Sequence, residues 1–114
     1  MNIDTLLEYI QQMPEVEECF PFDAQTLVCK TMGKMFLLCG LDKTPLQINL
    51  KCQPEIAEML REQFDDILPG YHMNKKHWNT VILTSGLTQK MIQQMIQHSY
   101  DLVRKNKNPT QIQF

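Results

Sequence analysis

The segment Leu46-Gln47-Ile48-Asn49-Leu50-Lys51 decides the fold. Its apolar and polar residues alternate strictly, which predicts a β-strand with one side packed and the other in water. Strands have this pattern in an antiparallel sheet that carries helices on a single face. The sequence therefore predicts an α+β fold, with Gln47, Asn49 and Lys51 on the sheet face that has no helices.

Further strands are predicted on both sides of this segment. Residues 27–31 and 34–39 are largely apolar runs, and Met32-Gly33 between them suits a two-residue type I′ turn, because this turn needs positive φ angles. Later in the chain, a strand pair is predicted around residues 71–78 and 78–83. With three helices, the predicted order is α-β-β-β-α-β-β-α, a compact sandwich.

The helix boundaries follow from capping residues. Asn2 is the expected N-cap of the first helix, which stops at Pro14. Pro54 begins the second, since its missing N–H costs nothing in the first turn, and Thr88 caps the third. The inward side chains are predicted as follows: Ile56, Met59, Leu60 and Phe64 in the second helix, and Met91, Ile92, Met95, Ile96, Ser99, Leu102 and Val103 in the third.

The size and composition are those of one globular domain. The chain has 114 residues, of which 43% are hydrophobic and 21% charged. Residues 1–105 are predicted to form the domain and residues 106–114 a frayed tail. No apolar run approaches the roughly 18–20 residues that span a bilayer, and the N-terminus lacks the basic region of a signal peptide. We therefore expect a cytoplasmic protein with no membrane partner.

The charge is strongly polarised along the chain. Residues 1–66 carry five Lys/Arg and twelve Asp/Glu, a net charge of −7, whereas residues 67–114 carry six Lys/Arg and Asp101 alone, a net charge of +5. Together they give the overall −2. The basic C-terminal half indicates an anionic partner.

No metal site or cofactor is predicted. The four cysteines lack the close-pair spacing of zinc sites, and Cys29 and Cys39 are expected to be small buried residues in reduced form. The acidic cluster of Glu15, Glu17 and Glu18 is predicted to be a solvated connection, because a hard cation needs several convergent oxygens. The cysteines are Cys19, Cys29, Cys39 and Cys52.

The run Pro69-Gly70-Tyr71-His72-Met73-Asn74-Lys75-Lys76-His77-Trp78-Asn79-Thr80 is the richest in binding chemistry. With a turn at Asn74-Lys75, His72 would lie opposite His77, and Tyr71 opposite Trp78. Such a ribbon fits a DNA groove, with lysines on phosphates, asparagines on base edges and aromatic rings on unpaired bases. The candidate nucleic-acid-binding residues are His72, Asn74, Lys75, Lys76, His77, Trp78 and Asn79.

The same residues also have a structural interpretation. Large aromatic side chains in small domains are mostly buried, so a core position is favoured for Trp78 and Tyr71. The two lysines then form a solvated turn, and a hydrogen-bonding role is favoured for the two histidines.

Catalysis has no support in the sequence. Its glycines form no phosphate-binding loop or dinucleotide fingerprint, and no serine has the setting of a nucleophile elbow. The chain is predicted not to be an enzyme.

Several further motifs accompany the run 69–80. They are Phe20-Pro21-Phe22, Lys30, Gly33-Lys34-Met35-Phe36, Leu50-Lys51-Cys52 and Ser99-Tyr100-Asp101-Leu102-Val103. With these motifs and the whole run 69–80, the chain resembles the MmcQ/YjbR family, small bacterial proteins described as DNA-binding. The resemblance covers residues 1–105 and implies a frataxin-like (CyaY-like) α+β fold that binds nucleic acid through a winged hairpin surface. It implies no catalytic residues.

Two functional hypotheses result. The leading one is a DNA-binding protein that uses the basic, aromatic hairpin at residues 69–80. The alternative is a non-enzymatic module that binds a protein or small ligand on the wet sheet face carrying Gln47, Asn49 and Lys51. A contiguous basic surface at Lys75 and Lys76 would favour DNA, whereas scattered lysines would favour the alternative.

Overall fold

The computed structural model describes residues 1–71, 73–84 and 86–114. Its strands form a 6-stranded antiparallel sheet in the order β1-β2-β3-β4-β6-β5, which confirms the α+β prediction. Within these ranges no helix is long and apolar enough to cross a membrane. The elements in chain order are α1 (Ile3–Gln11), β1 (Val16–Cys19), β2 (Thr26–Thr31), β3 (Lys34–Gly40), β4 (Gln47–Lys51), α2 (Pro54–Gln63), β5 (Ile67–Pro69), β6 (Trp78–Ile82) and α3 (Gln89–Val103).

The predicted element order lacks one strand. The acidic cluster, interpreted from sequence as a solvated connection, contains β1, in which Glu17 lies opposite Lys30 and Glu18 opposite Cys29. Both glutamates are exposed at the edge of the sheet. Charged residues are common on edge strands because they discourage pairing with another chain. Because the two glutamates are adjacent, the segment lacks the alternation of apolar and polar residues by which a strand is predicted.

The two faces of the sheet differ as predicted. Ile48 and Leu50 of β4 point to the core, where all three helices pack, and Gln47 and Asn49 point to the opposite side, hereafter the open face. One row across the core face contains only apolar residues in register, and each is buried. The row is Leu27, Cys39, Ile48, Val81 and Ile67.

The local turn and cap signals are confirmed. Met32 and Gly33 have φ angles of 54° and 75°, as a type I′ turn requires. The side chain of Asn2 accepts a hydrogen bond from Thr5 N at 2.9 Å at the start of α1. The Thr88 hydroxyl accepts one from Met91 N at 3.1 Å at the start of α3.

The predicted inward stripes need two corrections. In α2, Ala57 and Leu60 are buried and Met59 is 47% exposed, so the stripe is narrower than expected. In α3, Leu102 is only partly buried. Polar residues of α3 that the apolar pattern could not identify, among them His98 and Asp101, are fully or almost fully buried.

The C-terminal segment packs where the sequence predicted fraying. Ile112 is buried in the main core. The Asp101 carboxylate accepts hydrogen bonds from Thr110 N and Thr110 Oγ1, each at 2.8 Å. His98 Nδ1 lies 2.8 Å from Thr110 O. Polar anchors on α3 thus hold a segment that has no regular secondary structure of its own.

The four cysteines are free thiols, and Cys29 and Cys39 are buried, as predicted. Burial raises the pKa of Cys29 and of Cys39 to about 12. Burial likewise raises the pKa of Cys52 to about 12. Since the thiolate is the reactive form, these three side chains act as small core residues.

His98 is held in the neutral form by its two partners. Thr110 O accepts the proton on Nδ1, and Gln53 N donates to Nε2 at 3.3 Å. Burial lowers the pKa of His98, and this outweighs the Thr110 hydrogen bond and the charge of Asp101, which raise it. Protonation of Nε2 would place two N–H groups against each other.

The stability of the protein should therefore depend on pH through His98. Because the folded pKa is depressed, the native state binds fewer protons than the unfolded chain, and the free energy of unfolding should fall as the pH decreases below about 6.5. Urea unfolding at several pH values between 7.5 and 5.5 measures the slope. His98→Gln should flatten it, and identical slopes in the two proteins would contradict the assignment.

Candidate functional site

The predicted hairpin is not a continuous ribbon. Strands β5 and β6 pair only from Ile67 to Pro69, with Pro69 opposite Asn79. Residues 70, 71 and 73–77 lie in the connection between β5 and β6, which we call the lysine loop. Gly70 N donates to Trp78 O at 2.9 Å. The predicted register of Tyr71 opposite Trp78 is therefore corrected, and the predicted pair of His72 with His77 involves His72, which lies outside the described residues.

Gly70 is needed where the lysine loop leaves the sheet. A Cβ atom at this position would lie 2.8 Å from Trp78 Cβ and 3.0 Å from Trp78 O. Such distances are shorter than van der Waals contact. The chain passes Trp78 closely only because residue 70 has no side chain, and the longer predicted pairing ends there.

Two candidate nucleic-acid-binding residues are buried. Trp78 packs on the open face with Val28 and Leu38. Asn79 lies on the core side of the sheet, only 2% exposed, and its Nδ2 donates to Ala57 O at 3.4 Å. The structural interpretation of Trp78 is correct, whereas Tyr71, expected in the core, is 71% exposed.

Asn74, Lys75 and Lys76 are exposed at the tip of the lysine loop. Asn74 Oδ1 accepts a hydrogen bond from Lys76 N at 2.9 Å, and Asn74 O accepts from His77 N at 3.2 Å. Arg61 Nη1 of α2 donates to Lys75 O at 2.8 Å. The loop is therefore tethered to α2 and does not project freely.

The surface beside the lysine loop has mixed charge. Lys75, Lys76 and Arg61 line a shallow depression together with Glu55 and Glu58 of α2. Two carboxylates among three cations weaken the positive potential that would attract a polyanion. The contiguous basic surface that would favour DNA is interrupted here.

The open face holds a second concave region, a cleft of about 540 Å³. Its floor is formed by strands β2, β3, β4 and β6. Its walls come from the β1–β2 connection, the β3–β4 connection and the lysine loop. The lining residues that matter below are Phe22, Asp23, Asp42, Lys43, Gln47, Asn49, Tyr71, Met73 and Thr80.

Hydrogen bonds orient the polar floor of this open-face cleft. The Thr80 hydroxyl accepts from Tyr71 N at 3.0 Å and donates to Asn49 Oδ1 at 2.6 Å. Its single proton is thereby committed to the Asn49 oxygen. Among the described residues, no hydrogen bond engages Asn49 Nδ2 or the Gln47 amide, which both border the cleft. The floor offers polar groups whose direction is set before a ligand arrives.

The walls are aromatic and apolar, and the rim is charged. Phe22 is 64% exposed, and Tyr71 also lines the cleft. A Cβ atom on Gly40 would lie 3.1 Å from Lys43 Cγ and 3.6 Å from Asp42 Oδ1, so these two side chains fold over the end of β3. With Asp23, the rim holds two carboxylates and one ammonium group.

Only some of the residues that line this cleft could be predicted from the sequence. Alternation in β4 placed Gln47 and Asn49 on the open face. Only the family resemblance marks Phe22 in the sequence, since an isolated aromatic residue in a connection carries no periodic signal. Thr80 was missed because its role depends on its register with Asn49, which is a long-range pairing. In the described parts of the chain, no cluster of three His, Cys, Asp or Glu side chains could hold a metal ion.

The side chain of Asn79, on the core side of the sheet, has a buried oxygen whose cost in stability can be tested. Its Oδ1 is buried with no hydrogen-bond partner among the described residues, and it borders a cavity of about 10 Å³. A buried unsatisfied group costs about 1–3 kcal/mol. Asn79→Leu should therefore raise the free energy of unfolding by about 1 kcal/mol, measured by urea denaturation. A loss of stability would contradict this expectation and would mean that Oδ1 has a partner such as a buried water or that leucine overpacks the site.

The family follows from comparison with known proteins. Residues 11–102 match the YjbR family model. The chain belongs to the YjbR family. The uncharacterized protein YjbR of Escherichia coli strain K12 is 33% identical over 100 residues, covering 88% of this chain and 85% of the relative. The uncharacterized protein YbdF of E. coli O157:H7 is 36% identical over 92 residues, covering 81% and 75%.

Solved YjbR-like structures share the fold. The crystal structure of Deinococcus radiodurans protein DR2400, with a domain described as DUF419, has a TM-score of 0.87 and 38% identity over 94% of this chain and 81% of that one. A crystal structure of a Pseudomonas syringae protein has a TM-score of 0.78 and 30% identity over 90% and 98%. These similarities establish family and fold, and function must be argued from the site.

Proposed function

We propose that this YjbR-family protein is a non-enzymatic binding module whose small ligand occupies the open-face cleft. One observation carries the proposal: exposed Phe22 and Tyr71 flank a floor on which Thr80 orients the Asn49 amide. Apolar walls with a few oriented polar groups are the usual composition of small-molecule sites. The volume of about 540 Å³ also lies in their usual range.

The lining of the cleft supports binding without chemistry. The described residues that line the cleft include no cysteine, histidine or serine, so they provide no activated nucleophile of these types. The Asp23 carboxylate accepts hydrogen bonds from Gln25 N at 2.9 Å and Thr26 N at 2.8 Å, so it is engaged in holding its own connection. We place the module in the cytoplasm, where free thiols stay reduced.

The test is a ¹H–¹⁵N correlation titration with small aromatic compounds. Binding should shift the signals of Gln47, Asn49 and Thr80. The Phe22→Ala/Tyr71→Ala double variant should bind at least about tenfold more weakly, since one aromatic contact to a flat ring contributes about 1–3 kcal/mol. Phe20→Ala is the matched control, because Phe20 is exposed but does not line the cleft. Equal weakening by the control, or no shifts with any compound, would overturn the proposal.

DNA binding through the lysine loop is the second candidate. The supporting observation is that Arg61 contacts Lys75 O and so brings a third cation beside Lys75 and Lys76. Three cations can neutralise only a few phosphates, so the affinity should be modest and strongly dependent on salt. The adjacent Glu55 and Glu58 are the reason that we place this candidate second.

Fluorescence anisotropy with a labelled random duplex at several salt concentrations tests this candidate. Lys75→Ala/Lys76→Ala should weaken binding and reduce the salt slope by roughly two. Lys90→Ala/Lys107→Ala removes the same charge elsewhere and serves as the control. If both double variants change the slope equally, the lysine loop is not a specific contact; if the duplex does not bind at low salt, the candidate fails.

A further inference from the structure

The polar groups of the open-face cleft define a narrower ligand class. We infer that the cleft takes an uncharged adenine-type ring, as the free base or the nucleoside; this inference rests on the proposed function. Three features of the lining carry it: flat apolar walls, directed carboxamides and an acidic rim.

The walls favour a flat ring. Phe22 and Tyr71 present exposed aromatic surface, and rings prefer to stack on such faces. Met35 and Met73 also line the cleft, and thioether sulfur makes favourable contacts with aromatic rings. An extended aliphatic chain would use neither property.

The floor favours a ring with hydrogen-bonding edges. Asn49 Oδ1 accepts the Thr80 proton, which orients the amide and leaves its Nδ2 protons as donors for an acceptor such as a ring nitrogen. The Gln47 carboxamide retains one acceptor and two donors, with no hydrogen bond to another described residue. A carboxamide pairs in bidentate fashion with the N6 and N7 atoms of adenine. Purely hydrocarbon rings would leave both amides unsatisfied.

The rim disfavours phosphate. Asp23 and Asp42 outnumber Lys43, so the lining has a net negative charge. A phosphate group would be repelled by these carboxylates and would gain only one cation. The volume of about 540 Å³ leaves room for a ring with a sugar. The base and the nucleoside therefore fit the cleft, whereas the charge of the rim disfavours the nucleotide.

Titrations of the ¹⁵N-labelled protein with adenosine, AMP and naphthalene-2-carboxamide test the inference. Adenosine should bind most tightly, with shifts at Gln47 and Asn49, and AMP should bind several-fold more weakly. Gln47→Leu should weaken adenosine binding about tenfold, whereas Gln11→Leu on the exposed end of α1 should not. The correlation spectrum of each variant reports directly whether it is folded.

The outcomes of these titrations distinguish the adenine inference from the proposed binding module. If the naphthalene compound binds in the cleft as tightly as adenosine, or if AMP binds more tightly than adenosine, the adenine inference is overturned while the binding module stands. If Gln47→Leu leaves adenosine binding unchanged, the inference is also overturned. If none of the three compounds nor any other aromatic compound shifts the cleft signals, both claims fail.

Discussion

Ser99→Ala should lower the free energy of unfolding by about 2–4 kcal/mol, since it leaves two buried backbone groups without partners. Ser99 is completely buried where α3 crosses the sheet. Its hydroxyl donates to Phe36 O at 2.5 Å and accepts from Lys51 N at 2.9 Å, so one side chain joins α3 to β3 and β4. Alanine fits the space but satisfies neither group.

Urea denaturation followed by the fluorescence of Trp78 measures this loss. Lys90→Ala, at an exposed position of the same helix, is the control and should change stability by less than about 0.5 kcal/mol. If Ser99→Ala were as mild as the control, the bridge between α3 and the two strands would contribute little, and the packing described for this helix would need revision.

Asp101→Ala should release the C-terminal segment and lower the free energy of unfolding by about 2–3 kcal/mol, as expected for lost hydrogen bonds to a buried charged group. The Asp101 carboxylate accepts from Thr110 N, from Thr110 Oγ1 and, at 3.1 Å, from Gln97 Nε2. Without them, the segment retains the apolar contact of Ile112 and the His98 hydrogen bond.

Limited trypsin digestion and amide exchange report on the release. Cleavage after Lys107 should become faster, and the amide of Thr110 should exchange faster, while amides in β3 remain protected. Asn106→Ala is the control, because its side chain accepts only a local hydrogen bond from Asn108 N. Equal protection of Thr110 in Asp101→Ala and the unmodified protein would show that the remaining contacts of the segment, such as Ile112 and the His98 hydrogen bond, hold it without Asp101.

Local sequence signals predicted most of the fold because they act over a few residues. The Met32-Gly33 turn, the Asn2 and Thr88 caps and the alternation in β4 are all present. The missed elements depend on distant partners. Strand β1 exists because it pairs with β2, and the C-terminal segment is ordered because Asp101 and His98 are buried beneath it.

The candidate site was predictable only in part for the same reason. The run 69–80 is rich in residue types that bind nucleic acids, yet the sheet buries Trp78 on one face and Asn79 on the other. The open-face cleft instead combines residues from several strands and three connections. Gln47 and Asn49 could be placed on the correct face from alternation, but their grouping with Phe22 required the tertiary structure.

The central claim is that the open-face cleft binds a flat small molecule, and intermolecular nuclear Overhauser effects test it most directly. With adenosine as the probe, we expect contacts from its ring protons to the aromatic protons of Phe22 and Tyr71 and to the side-chain amide protons of Asn49. Contacts found instead at Asn74 to Lys76 would contradict the account, as would the lack of contacts to any residue of the cleft with both adenosine and naphthalene-2-carboxamide.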